Sequence, residues 1–190
     1  MAKMATREAY GQTLAALAAE NENILVLDAD LSGSTKSGMV KKNNPNQHFN
    51  MGIAEGNMMG VAAGLAASGN IVFASSFAMF ATGRAYEQIR NSIGYPRLNV
   101  KICASHAGIT VGEDGASHQT FEDISLMRGI PNMIVVCPAD GVEASKAIRA
   151  VAAYDGPCYV RLGRSAVETV YDEDMDFQIG KGNVDRKSVV

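Results

Sequence analysis

Short apolar runs, separated by stretches with helical spacing, constrain this 190-residue chain more than any single motif. Ile24 to Leu27, Ile71 to Ala74, Val100 to Cys103, Met133 to Val136 and Cys158 to Val160 are nearly continuous and mostly rich in β-branched residues. Strands buried on both faces have this character, because no position along them meets water. Between the runs lie helical patterns. The first takes Thr6 as its expected N-cap, repeats Tyr10, Leu14, Leu17 and Ala18 on one face, and ends at Asn21-Glu22-Asn23. Glu55 to Ala67, Ala78 to Ser92, Phe121 to Met127 and Gly141 to Ala153 complete the set. Strands and helices alternating at these lengths predict an α/β fold: an open, mostly parallel sheet with helices on both faces.

Composition narrows the function classes. Apolar residues make up 47% of the chain, enough for a core, and charged residues only 19% with a net charge of -3. No Lys and Arg run exceeds Lys41-Lys42, so nothing here has the electrostatic footprint of a nucleic-acid binder. Met1 to Gln12 lacks the apolar stretch of a signal peptide, and no segment has the length to span a bilayer. A soluble cytoplasmic protein is the expectation. Cys103, Cys137 and Cys158 each fall in apolar runs and are expected as buried, reduced thiols.

An open parallel sheet binds ligands beyond the carboxyl ends of its strands. The residues just after each run are therefore the candidates: Asp30 and Ser34, Phe77 and Phe80, His106, Asp114 and His118, Arg161 and Arg164. Glu55 opens the helix that follows Gly52-Ile-Ala. A carboxylate there can simply meet the helix dipole, yet the apolar residues after Asn57 argue for a buried helix. A buried carboxylate needs a partner, and a heteroaromatic ring nitrogen would be a suitable one. Phe77 and Phe80, three apart, can share a face or merely pack in the core. Gly112-Glu-Asp-Gly115 has neither P-loop nor EF-hand spacing. His48 matches no pattern and is expected at the surface.

Taken in order, Gly52-Ile-Ala-Glu55-Gly-Asn-Met, Ser75-Ser-Phe77-Ala-Met-Phe80 and Ser105-His106-Ala-Gly-Ile-Thr-Val-Gly-Glu-Asp114-Gly-Ala-Ser-His118-Gln resemble the pyrimidine-binding domain of transketolases. The resemblance runs from Met4-Ala-Thr-Arg7 to Arg161-Leu-Gly-Arg164. It implies a thiamine diphosphate-binding fold, with residues 1–170 as the pyrimidine domain and 171–190 as a linker and the start of a missing C-terminal domain. By the same resemblance, Glu55 would hydrogen-bond the aminopyrimidine ring nitrogen and favour the imino tautomer. Phe80, backed by Phe77, would stack on the ring, and Asp30 would lie near the cofactor. Arg7, Ser34, His106 and Arg164 would grip the sugar phosphate, Asp114 would accept a sugar hydroxyl, and His118 would face the reacting carbon.

Two departures accompany the match. Ala81-Thr82-Gly83 stands where some relatives carry a third aromatic, and some members have Gln at the position of His118. The family's Gly-Asp-Gly motif with a following Asn, which holds diphosphate and magnesium, occurs nowhere in the chain. The resemblance therefore implies a split enzyme that moves a two-carbon ketol unit between sugar phosphates. A diphosphate-binding partner subunit would hold the magnesium, the assembly would be a homodimer or heterotetramer, and the isolated chain would be inactive. A deoxyxylulose-phosphate synthase, a 2-oxo acid dehydrogenase β-subunit or a non-catalytic interaction or sensor domain are the alternatives. His106 with the Arg7 and Arg164 pair separates this chain from the first two.

Overall fold

The computed structural model describes residues 3–183. The chain opens with β1 (Lys3–Ala5) and α1 (Thr6–Glu20), followed by β2 (Ile24–Asp28), the short helices α2 (Ser32–Thr35) and α3 (Met39–Asn43), and β3 (His48–Asn50). Then come α4 (Glu55–Ala67), β4 (Ile71–Phe77), α5 (Tyr86–Gln88), β5 (Val100–Ser105), α6 (Asp123–Arg128) and β6 (Ile134–Val136). The chain continues with α7 (Gly141–Ala153), β7 (Cys158–Arg161) and β8 (Ala166–Glu168). Six strands form one sheet in the order β3-β2-β4-β5-β7-β6, every neighbouring pair parallel. The expected fold class is the observed one.

Alternation along the central strands divides the core in two. Val26, Phe73, Cys103 and Val160 face one side, where Tyr10 and Leu14 of α1 and Ile148 and Val151 of α7 cover them. Leu27, Ala74, Ile102 and Tyr159 face the other, against Met58, Met59 and Ala62 of α4 and the segment around Ile89 and Ile93. Such a strand has no wet face, so its sequence reads as a nearly continuous apolar run, interrupted in β5 by the fully buried Lys101, whose Nζ donates to the Tyr154 and Gly156 carbonyls.

Local corrections to the expectations each have a cause. Thr6 does not cap α1. Ala5 holds the cap position, and the Thr6 hydroxyl instead accepts from the Gly163 amide at 2.8 Å. β1 and β8 pair antiparallel outside the main sheet, which brings the entrance of α1 beside the exit of β7. His48, expected at the surface, is only 7% exposed. It lies on the edge strand in register with Val26, so its ring points into the layer under α1, and its Nε2 has no hydrogen-bond partner. Burial lowers its pKa, opposed by the charge of Asp28. Cys103 and Cys158 are buried as expected, but Cys137 is exposed just beyond the edge strand β6.

The expected helix from Ala78 to Ser92 is interrupted. Phe80–Arg84 and Ile89–Gly94 are wider π turns with α5 between them. Such turns insert a residue and are frequent at functional sites. α6 begins at Asp123, leaving Phe121 exposed. Residues 171–183 run back along β6. The Val170 and Tyr171 amides donate to Asp140 Oδ2 at 2.7 and 2.9 Å, and the Asn183 side chain donates to Glu143 Oε1 at 2.7 Å. Residues 184–190, part of the expected start of a further domain, lie outside the described residues. Among the described residues no helix is long and apolar enough to cross a membrane.

Connectivity marks the place for a ligand. From β2 the chain leaves toward α3, which packs on α1, whereas from β3 it crosses to α4 on the opposite face. From β4 it stays on that opposite face. Adjacent strands β2 and β4 thus send their connections to opposite sides, and a crevice opens beyond their carboxyl ends.

Candidate functional site

That crevice is a cleft of ≈ 260 Å³ lined by Asp30, Leu31, Ile53, Glu55, Phe80, Arg84 and His118, with Ala29 at its base. Glu55 is the first residue of α4 and is 1% exposed. Its Oε2 accepts from Arg84 Nη1 at 2.7 Å, and its Oε1 from the Ser76 hydroxyl at 3.3 Å. The carboxylate thus meets both the positive end of α4 and a guanidinium, which is what an ion held away from water requires.

Aromatic rings form the adjoining wall. Phe77, the last residue of β4, and Phe80, just beyond it, lie nearly parallel with centroids 6.1 Å apart. His106 stacks on Phe77 at 3.9 Å, and His118 meets Phe80 edge-on at 4.9 Å. Core packing of the two phenylalanines is therefore only half of their role: Phe80 also faces the cleft. Asp30 sits on the rim with a positive φ of 64°, its Oδ1 accepting from Asn50 at 2.7 Å.

The second half of the site lies where β1 and β8 bring the chain's early and late segments together. Arg7 donates to the Ser34 carbonyl at 2.6 Å and to the Arg164 carbonyl at 3.2 Å. Burial and then the charge of Arg164 lower the Arg7 pKa, as expected for two cations held close. Gly112 lets Arg164 lie over the loop after β5. A Cβ there would stand 2.9 Å from the Arg164 Cζ, and its φ of +90° favours glycine. Next to this pair, His106 is buried with its Nδ1 2.9 Å from the Ser105 hydroxyl. Its pKa is lowered to about 4, first by burial and then by Arg7 and Arg164, against the opposing charge of Asp114. The ring is neutral at pH 7, with one nitrogen to donate and one to accept. Asp114 and His118 both stand on the exposed loop between β5 and α6.

Of the candidates, Asp30, Glu55, Phe80 and His118 line the cleft, Phe77 and His106 back its aromatic wall, Arg7 meets Ser34 and Arg164, and Asp114 shares the loop of His118, whereas Arg161 turns to Asp123. Sequence reading missed Arg84, Ser76 and Asn50. Arg84 stands four residues after Phe80, a helical-neighbour spacing that could have flagged it. Among the described residues no group of three or more His, Cys, Asp and Glu side chains could hold a metal ion.

A crevice at the crossing point of a parallel sheet, with a buried carboxylate, an aromatic wall and paired arginines, defines an α/β domain with its candidate site at the switch point of the sheet. Residues 2–169 match the family described as transketolase, pyrimidine binding domain, and the chain belongs to it. A protein described as a transketolase C-terminal section from Methanocaldococcus jannaschii is 58% identical over 94% of this chain and 57% of its own length. Human transketolase is 40% identical over 98% of the chain and 30% of its own length. A solved structure described as a split gene transketolase, inactive beta4 tetramer, superposes with a TM-score of 0.87 at 54% identity, covering 98% of this chain and 60% of that one. The chain thus spans between about a third and three fifths of these relatives.

Proposed function

We propose that this chain is the pyrimidine-binding half of a thiamine diphosphate-dependent transketolase, completed by a diphosphate-binding subunit. The observation that carries the reading is Glu55, an almost wholly buried carboxylate that opens onto a cleft with an aromatic wall. The residues fit an aminopyrimidine. Phe80 offers a ring face, Glu55 an oxygen, and the planar Arg84 guanidinium already meets both. Thiamine diphosphate bound there would supply a carbon acid and an electron sink for two-carbon transfer.

In this reading Glu55 holds a proton at the ring nitrogen, in a site dry enough that the proton is not lost to water. Phe80 positions the ring, Phe77 backs it, and Asp30 lies at the rim. Arg7, Arg164, Ser34 and neutral His106 bind the sugar phosphate, since guanidinium forks match phosphate oxygens. Asp114 accepts a sugar hydroxyl, and His118 faces the reacting carbon. In this reading residues 1–170 are the pyrimidine domain, and 171–190 are a linker, packed back on β6 as far as residue 183, and the start of a further domain. Magnesium and the diphosphate fall to the partner, because the chain carries no Gly-Asp-Gly motif. The related structure's description as an inactive beta4 tetramer supports self-association and inactivity of this chain without that partner.

The test mixes the chain with a diphosphate-binding subunit, thiamine diphosphate and magnesium and assays ketol transfer between sugar phosphates. Turnover only in the mixture is expected; none in any combination would remove the proposal. In that assay Arg164→Leu should raise the KM for a phosphorylated acceptor by about ten- to a hundredfold, the worth of a charge-assisted hydrogen bond. The KM for an unphosphorylated aldose should barely move. Equal effects on both would take Arg164 out of the phosphate site.

A further inference from the structure

We infer that Arg84 is a built-in occupant of the pyrimidine site, a guanidinium that the incoming ring must displace from Glu55 and Phe80. The inference rests on the reading of the cleft given above. A flat ring in this cleft needs a nitrogen against Glu55 and a face against Phe80. Arg84 satisfies both demands with its own side chain: Nη1 is 2.7 Å from Glu55 Oε2, and Cζ lies over the Phe80 ring at 4.7 Å from its centroid. The guanidinium is planar, carries N–H donors along its edge and stacks on aromatic faces, so it imitates an aminopyrimidine in shape and bonding.

Local backbone explains how it gets there. Phe80–Arg84 is a single π turn, which sets its first and last side chains on one face over the mouth of the cleft. The two ends of the ion pair differ. Glu55 is 1% exposed and fixed between α4 and Ser76, whereas the Arg84 side chain is 51% exposed and, among the described residues, makes this one hydrogen bond. The arginine can swing into solvent, and the carboxylate cannot follow. An empty site with a bare buried carboxylate would be unstable, so a mobile counter-ion keeps Glu55 paired until the ring arrives. Ring binding then exchanges one partner of Glu55 for another.

The experiment titrates the full chain with 4-amino-5-hydroxymethyl-2-methylpyrimidine, the ring without its diphosphate, and follows binding by NMR and calorimetry. Arg84→Met removes the competitor at similar length, and its dissociation constant should be roughly three- to tenfold lower than wild type, the worth of one cation–π contact. In wild type, the Arg84 side-chain signals, shifted by the Phe80 ring current, should return toward those of a solvated arginine as the probe saturates. This second readout needs no variant to fold. Equal or weaker binding by Arg84→Met, or unmoved Arg84 signals at saturation, would overturn the inference and leave Arg84 as a permanent partner of Glu55. Glu55→Gln should weaken probe binding. If it does not, the cleft is not the pyrimidine site, and the functional reading falls together with the inference.

Discussion

In the reconstituted enzyme, Glu55→Gln is expected to lower kcat by about two to four orders of magnitude, the span associated with losing a positioned proton-transfer group. Gln keeps the size of the side chain: its carbonyl oxygen can accept from Arg84, which reaches the carboxylate at 2.7 Å, and its amide nitrogen can donate to the Ser76 hydroxyl, which stands 3.3 Å from the other oxygen and can turn to accept. What it loses is the ability to take and return a proton at the ring nitrogen. The amide also carries no charge, so α4 keeps its buried start without an ion to solvate. The fold should therefore survive, and the melting curve should confirm it. With cofactor saturating, the KM for the sugar substrates should change by less than about threefold, because Glu55 lies in the ring cleft and not among Arg7, Ser34 and Arg164. A kcat within tenfold of wild type would show that the carboxylate only pairs Arg84.

The sheet was legible because its strands have no wet face. Ile24–Asp28, Ile71–Phe77 and Val100–Ser105 need apolar residues on both sides, and that demand appears directly as composition. Elements whose cause lies elsewhere in the chain were not legible. β1 and β8 are three residues each and exist because they pair with each other, and nothing in either segment announces the other. β3 at the edge buries one histidine, so no apolar run marks it. The candidate site divides the same way. Glu55 and the aromatic pair could be placed from position relative to strands and helix starts. Arg84 was hidden because the π turn shifts helical phase, and its partner lies 29 residues earlier. The neutral state of His106 was equally invisible, since it follows from burial and from arginines that arrive from both ends of the domain.

Asp123→Ala is expected to destabilise the domain by about 3 kcal/mol, at the lower end for breaking a buried ion pair because Arg161 keeps some contact with water. Asp123 begins α6 and is fully buried, and its Oδ2 accepts from both the Tyr159 hydroxyl and Arg161 Nε at 2.8 Å. Alanine leaves a buried hydroxyl and a half-buried cation with no acceptor, so the penalty is the cost of stranding them and not the worth of the bonds. For a chain of this size that is a fall in Tm of roughly 6–12 °C. Asp123→Asn retains an acceptor for Tyr159 and should lose clearly less. The same network reaches the site. Arg161 Nη2 would stand 3.4 Å from a Cβ at Gly108, so the guanidinium lies against the loop that runs from His106 to His118. Loosening it should raise amide exchange across residues 106–120 before the sheet unfolds. If Asp123→Ala melts within about 2 °C of wild type, the tie between α6 and β7 lies elsewhere, in the apolar contacts of Met127 and Tyr159.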